Sequence, residues 1–281
     1  MSDERERAEN IKKLLHAPSY RVAYKDEEFL ASSRMRAVRM ELELQKPELA
    51  FQDQNISSTI VIFGSTRIPE PLEAEKKLER ARARLADTPD DPRRARAVAR
   101  AERIVAKSHY YELAHEFARI VSSECQVEGR HDYVVVTGGG PGIMEAANRG
   151  AYDTGAKSIG LNIRLPHEQA PNPYITPELC FQFHYFAMRK FHFLLRAKAL
   201  VVFPGGFGTL DELFDALTLR QTGRLQHIPI IMFGREYWER AVGFRYLADE
   251  GTILDEHLDL FRYAETPQEA WEMIKQYHRE Q

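Results

Sequence analysis

Six short apolar runs, each closed by a turn or a polar segment, constrain this chain more than anything else in it. They are "TIVIFGS" (59–65), "YVVVTGGG" (133–140), "SIGLNI" (158–163), "CFQFHYF" (180–186), "ALVVFPGG" (199–206) and "IPIIMFG" (228–234). Runs of this kind suit strands buried on both faces, as in a parallel sheet. Helix-prone stretches at 141–154, 185–198, 208–222 and 235–249 lie between most of them. The alternation predicts an α/β fold with a doubly wound, mostly parallel sheet. A last short strand near 258–263 and a helix from Pro267 to the end complete the pattern. Thr266 is placed as its N-cap, Pro267 at the first helical position and Glu269 at the third, the spacing of a capping box.

Two regions stand outside this rhythm. Residues 1–55 are charged and helix-prone with patchy apolar faces, and read as a helical N-terminal extension to a domain spanning 56–281. Residues 70–124 separate the first two strands by more than an ordinary crossover. They read as a helical insertion: a helix, a "DTPDDP" turn and a long helix. Its arginines (Arg80, Arg82, Arg84, Arg93, Arg94, Arg96, Arg100) could be taken for a nucleic-acid patch. They lack interleaved aromatics, however, and pairs such as Glu73 and Lys77 at i,i+4 favour a solvated helical hairpin, so no nucleic-acid partner is expected.

Composition excludes several classes. The chain is 43% apolar and 29% charged, as an ordinary globular protein is. A net charge of −3 leaves no global field for anions, so any anion site must be local. Two cysteines, Cys125 and Cys180, make neither a disulfide framework nor a metal pair. No apolar run is long enough for a membrane span, and the opening "MSDERERAENIKKLL" is too charged for a signal peptide. The expectation is a cytoplasmic protein of a reducing compartment, with no metal, no cofactor and no membrane partner.

Two glycine-rich loops follow strands and open helices: "TGGGPGIMEAANRGA" (137–151) and "PGGFGTLDE" (204–212). A helix N-terminus presents unpaired N–H groups and the positive end of a dipole, and glycines let an anion reach them. In an open α/β sheet both loops lie at the carboxyl ends of strands, where such folds bind ligands. Neither loop has the dinucleotide or the triphosphate spacing. Each alone could be a packing turn; two on one sheet edge point to a phosphate-bearing small molecule, a nucleotide. Asp211 and Glu212 sit in the first turn after the second loop, where the dipole holds carboxylates ionised unless burial opposes it. Upstream, "YFAMRKFHFLLRAK" (185–198) places Arg189, His192 and Arg196 on one helical face and Met188, Phe191 and Leu195 on a neighbouring apolar one.

The "MRK" at 188–190 followed by Pro204, Gly205, Gly206, Gly208, Thr209 and Glu212 resembles the Lonely Guy family, cytokinin-activating phosphoribohydrolases and their bacterial relatives, which are often mislabelled lysine decarboxylases. "FGSTR" (63–67), the 137–151 loop and "GLNIRLPHEQAPNPYI" (160–175) are similar to further family segments. The resemblance covers about residues 58–235. It implies a Rossmann-like fold, a homodimer or larger homo-oligomer, and hydrolysis of the N-glycosidic bond of a nucleoside 5′-monophosphate, AMP or a cytokinin riboside monophosphate. By position Arg189 and Glu212 match the catalytic pair, and Lys190, Thr218 and the loop Gly205, Gly206, Phe207, Gly208, Thr209 and Asp211 match the nucleotide contacts. The similar strand-end loops add Ser65, Arg67, Gly138, Gly139, Gly140 and Gly142, and the "MRK" adds Met188. No lysine motif of the kind that holds pyridoxal phosphate is present, so decarboxylation lacks chemical support.

The residues fit that reaction. Breaking a ribosyl C–N bond builds positive charge on the sugar, which an ionised Glu212 can stabilise while orienting water. The glycine loops would fix the phosphate, so the two charge preferences serve different parts of one substrate. Arg189 is too basic to be a general acid; it could hold Glu212, bind phosphate or ribose, or bond the departing base. A non-catalytic nucleotide-binding regulatory protein is the alternative.

Overall fold

The computed structural model describes residues 2–127, 129–165, 170–225 and 228–280. The chain divides into two compact units, Met1–Lys46 and Pro47–Gln281. The first holds α1 (Ser2–His16), α2 (Glu27–Ala31) and the start of α3 (Arg36–Asp53). Asp26 caps α2 by accepting from the Phe29 amide, and the Arg39 guanidinium donates to the carbonyls of Leu30 and Ser32. None of residues 3–46 is buried.

The second unit contains seven strands: β1 (Thr59–Phe63), β2 (Val134–Thr137), β3 (Ser158–Ile163), β4 (Cys180–Phe183), β5 (Ala197–Val202), β6 (Ile230–Phe233) and β7 (Arg262–Ala264). They form one sheet in the order β4-β3-β2-β1-β5-β6-β7, and every neighbouring pair is parallel. The doubly wound α/β sheet is therefore present, and the order reverses at β1, which lies between β2 and β5. The helices are α4 (Pro71–Ala86), α5 (Pro92–Val105), α6 (His109–Cys125), α7 (Ile143–Tyr152), α8 (Phe186–Leu195), α9 (Phe207–Gln221), α10 (Arg235–Ala241), α11 (Phe244–Asp249) and α12 (Pro267–Arg279).

The sheet is buried on both faces because alternate strand residues serve two cores. Val61, Phe63, Val136, Leu200 and Val202 pack with Phe51, Phe193, Leu213 and Trp238. Ile60, Ile62, Val135, Ala199 and Val201 pack with Phe117, Val121, Ile143, Trp271 and Ile274. No described helix is long and apolar enough to cross a membrane.

Several expected boundaries move. The long helix expected after "DTPDDP" is two, α5 and α6. Of these, α6 is the buried crossover helix of the sheet, with Ala114, Phe117, Ala118 and Val121 inaccessible, whereas α5 has no buried residue. The 180–186 run stops pairing at Phe183 and Phe186 already begins α8. The helix expected through residue 198 ends at Leu195, and β5 starts at Ala197 because that residue already aligns with Thr59 of β1. Val242 and Gly243 split 235–249 into α10 and α11. The last strand begins at Arg262, since 255–260 form a 3-10 turn. Thr266 caps α12 as expected, by accepting from the Glu269 amide; the Glu269 carboxylate reaches the Glu265 amide, one residue short of closing the box.

Candidate active site

The reversal of strand order opens a cleft of about 540 Å3 at the carboxyl ends of the central strands. Such switch points are where open α/β sheets bind ligands. Gly64, Ser65, Thr66 and Arg67 after β1, Gly138 and Gly140 after β2, and Gly206, Phe207, Gly208 and Thr209 after β5 all line it, as do Arg189 and Glu212. Two loops expected to share one sheet edge therefore do share it. The Ser65 hydroxyl accepts from the Arg67 amide and shapes the first loop.

Glu212 is buried, only 7% exposed, and lies in the second turn of α9 rather than the first, because the helix already begins at Phe207 inside the glycine loop; Asp211 is likewise past the first turn. Arg189 of α8 reaches it with Nη2 at 3.2 Å from Oε1, a single contact. Oε2 has no hydrogen-bond partner among the described residues. The Arg189 guanidinium lies over the rings of Phe186 and Phe193, 5.3 and 5.4 Å from their centroids, and its Nη1 lies beside Gly138. The arginine thus stands between the carboxylate and the first glycine loop. Its Nε is buried without a partner among the described residues, so the charge has one hydrogen bond of 3.2 Å and two aromatic faces to offset its desolvation.

Burial raises the pKa of Glu212 above the ordinary glutamate value, against the opposing charges of Arg189 and Lys190; the neighbouring Asp211 adds to the rise. The helix dipole thus does not keep this carboxyl at a low or normal value, because desolvation wins. Burial also lowers the Arg189 pKa, with Glu212 working against it. For Lys190 burial acts downward, but the hydrogen bond to Asp211 and the charges of Glu212, Asp215 and Asp211 together raise it.

The other expected contacts stand around this centre. Lys190 Nζ bonds Asp211 Oδ1 at 2.9 Å, an external latch between α8 and α9. Gly205 turns its carbonyl to the Tyr237 hydroxyl at 2.5 Å and packs against Thr209. Gly139 packs against Asn162, and Gly142 is the N-cap of α7, its carbonyl accepting from the Ala146 amide. Met188 is packed against the core and Thr218 bonds the carbonyl of Phe214 within its own exposed turn. None of these seven residues lines the cleft of this chain. Positions 166–169 of the 160–175 segment lie outside the described residues.

The faces expected for α8 are revised. His192 is buried against Phe51 and Phe183, and Arg189 faces the cleft, whereas Phe191 and Leu195 are 44% and 47% exposed. The basic side points inward because Glu48 waits there, pairing with Arg196 and lying 3.5 Å from His192. The cleft also has apolar walls that the sequence did not single out, among them Phe63, Met144, Ile163, Phe186 and Phe193, with the amide of Asn162 beside them. The available signals were a strand end beside a glycine for Phe63 and the first turn of the helix after the glycine loop for Met144; both read equally well as core. Among the described residues, no three of His, Cys, Asp or Glu are grouped to hold a metal ion.

Comparison with known proteins finds partial similarities. The family model described as "Possible lysine decarboxylase" matches residues 144–274. A rice protein (Oryza sativa subsp. japonica) named "Probable cytokinin riboside 5'-monophosphate phosphoribohydrolase LOGL3" is 27% identical over 51% of this chain and 68% of its own length. A cytokinin riboside 5′-monophosphate phosphoribohydrolase of Arabidopsis thaliana is 25% identical over 61% of this chain and 77% of its own. Among solved structures, the molybdenum cofactor carrier protein of Chlamydomonas reinhardtii superposes with a TM-score of 0.45 at 20% identity, over 61% of this chain and 89% of that one. Over about half of its length the chain is thus similar to the Lonely Guy phosphoribohydrolases, with the motif residues that carry the resemblance gathered at one switch-point cleft.

Proposed function

We propose that this protein hydrolyses the N-glycosidic bond of nucleoside 5′-monophosphates, releasing the free base and ribose 5-phosphate. The observation that carries the reading is the Arg189–Glu212 pair, buried in the wall of a cleft floored by two glycine loops. The loops offer amide donors and a helix N-terminus to the phosphate. Fixing the phosphate aims the ribose at Glu212, and binding at that non-reacting group is expressed as rate. As the C1′–N bond breaks, its electron pair leaves with the base and the sugar becomes cationic. Glu212, held through Oε1, keeps Oε2 for that charge and takes the proton of the attacking water, whose oxygen bonds C1′; passing that proton on to the base nitrogen gives the neutral free base and restores the carboxylate. The apolar walls formed by Met144, Ile163 and Phe186 suit a planar base. The names of the rice and Arabidopsis relatives support the same substrate class.

Incubation with a panel of nucleoside monophosphates and chromatography for free bases tests the reading. AMP or an N6-substituted relative should yield base and the matching nucleoside little. Glu212→Gln should reduce turnover by about 10²-fold or more while retaining AMP binding. Binding of AMP by calorimetry with no base release by the wild type would establish the non-catalytic alternative. We also propose that two copies pair over the cleft mouth, since Phe207 is 93% exposed there and Phe186 is half exposed. Analytical ultracentrifugation that finds only monomer would remove that proposal.

A further inference from the structure

We infer that Thr137, Asn148 and Asn172 act together as positioning residues for the phosphate. They fix the peptide orientation of the Gly138–Gly140 loop so that its amides face the cleft. The inference rests on the reading of this loop as a 5′-phosphate site.

The three side chains are buried, at 0%, 0% and 7% exposure, and form one connected network. The Thr137 hydroxyl donates to Asn148 Oδ1 at 2.7 Å and accepts the Gly139 amide at 3.0 Å. Asn148 Oδ1 also accepts from Asn172 Nδ2 at 2.9 Å. Asn172 Nδ2 donates to the Gly140 carbonyl at 3.1 Å, and the backbone N–H of Asn172 donates to the Gly139 carbonyl at 2.9 Å. In turn Asn172 Oδ1 accepts from the Tyr174 amide at 3.2 Å, which holds the asparagine in place.

The consequence follows from the planarity of the peptide. In a trans peptide the C=O and N–H point in opposite directions. Anchoring the Gly139 carbonyl on the Asn172 backbone N–H, which the Asn172 side chain holds in place through the Gly140 carbonyl, Asn148 and the Tyr174 amide, therefore turns the Gly140 N–H the other way, and Gly140 lines the cleft. The Gly139 N–H is consumed by Thr137 and is not offered to a ligand. The amides of Gly138 and Gly140 have no acceptor among the described residues. Without this network a run of three glycines, the middle one at φ 73°, could rotate its peptides at little cost and present carbonyl oxygens to an anion. The network also accounts for three residues of the family-like segments that the reaction leaves unused: the threonine of "TGGGPG", the asparagine of "EAANRG" and that of "APNPY".

The test uses the full chain, with AMP binding by calorimetry, base release and thermal melting measured together. Thr137→Val keeps the shape and removes the hydroxyl; Thr137→Ser restores it. Thr137→Val should weaken AMP binding at least about tenfold, and Thr137→Ser should return it to within about threefold of wild type. If Thr137→Val fails to fold, Asn172→Ala carries the test with the same expected loss. Wild-type affinity in these variants, or equal losses in Thr137→Val and Thr137→Ser, overturns the inference and leaves the proposed reaction standing. Base release is scored on the wild type alone, so absence of catalysis with network-dependent AMP binding sinks the reaction and keeps the inference. A wild type that does not bind AMP overturns both.

Discussion

Two side chains, Glu212 and Arg189, carry the weight of the functional reading, and their burial has a consequence that can be measured. A carboxyl whose pKa is raised by desolvation stays protonated to a higher pH than an exposed one. If the ionised form is the one that works, kcat/KM must fall as the pH drops, and the midpoint of that acid limb must lie above the ordinary glutamate range. The same shift makes the folded protein hold the proton more tightly than the unfolded chain. Its contribution to stability therefore grows as pH falls through that window and is lost as pH rises through it. Loss of activity there is then not unfolding driven by Glu212. A kcat/KM profile with an acid limb at or below ordinary glutamate values, or one unchanged in Glu212→Gln, would contradict this role. Both residues were marked in the sequence through the family resemblance that "MRK" and "PGGFGTLDE" carry, not through their chemistry alone. Their electrostatics were not. Whether dipole or desolvation governs Glu212 depends on Phe186, Phe193 and the α8 face, which local spacing assigns to the wrong side.

At the scale of elements, the strands were readable because a strand buried on both faces needs an unbroken apolar run, and each run is written that way. The boundaries were less readable. "RAKALVV" continues a helical pattern until β1 claims Ala197 as its partner, and "RAERIVAKSHYYELAHEF" shows no glycine or proline where α5 gives way to α6. Tertiary pairing decides both. Packing of α6 on α7 likewise depends on one position with no local signature. A side chain on Gly150 would run into the carbonyl oxygen of His115 and the Ala118 methyl, so the glycine sets how closely the helices approach. Gly150→Ala improves helix propensity but forces α6 and α7 apart, and overpacking of this kind costs about 1–3 kcal/mol. Chemical denaturation should show that loss. Stability equal to or greater than wild type would mean that propensity outweighs the clash. Gly155→Ala, where nothing lies within 4 Å but φ is 71°, separates backbone strain from crowding.

For the whole molecule, the division at Lys46 and Pro47 makes a prediction about which parts are needed for folding. No residue from 3 to 46 is buried, so that segment contributes no side chain to a core. The last turns of α3 are different: Phe51 is 2% exposed in the same apolar cluster as Phe193 and Leu213, and Glu48 sits against Arg196 and His192 at the end of the helix that bears Arg189. A chain beginning at Pro47 should therefore fold, melt near the full-length temperature and keep base release. A chain beginning at Ser57 loses the aromatic ring and leaves the Arg196 charge without its carboxylate. Removing a buried phenylalanine alone costs about 3–5 kcal/mol, and stripping the carboxylate from the partly buried Glu48–Arg196 pair adds to it. The shorter chain should then melt far lower, and its activity should fall because α8 is no longer braced behind Arg189. Thermal melting and AMP hydrolysis on the two truncations decide the matter. Equal behaviour of both would show that α3 does not brace the site, and collapse of the Pro47 chain would show that the first unit is part of the fold.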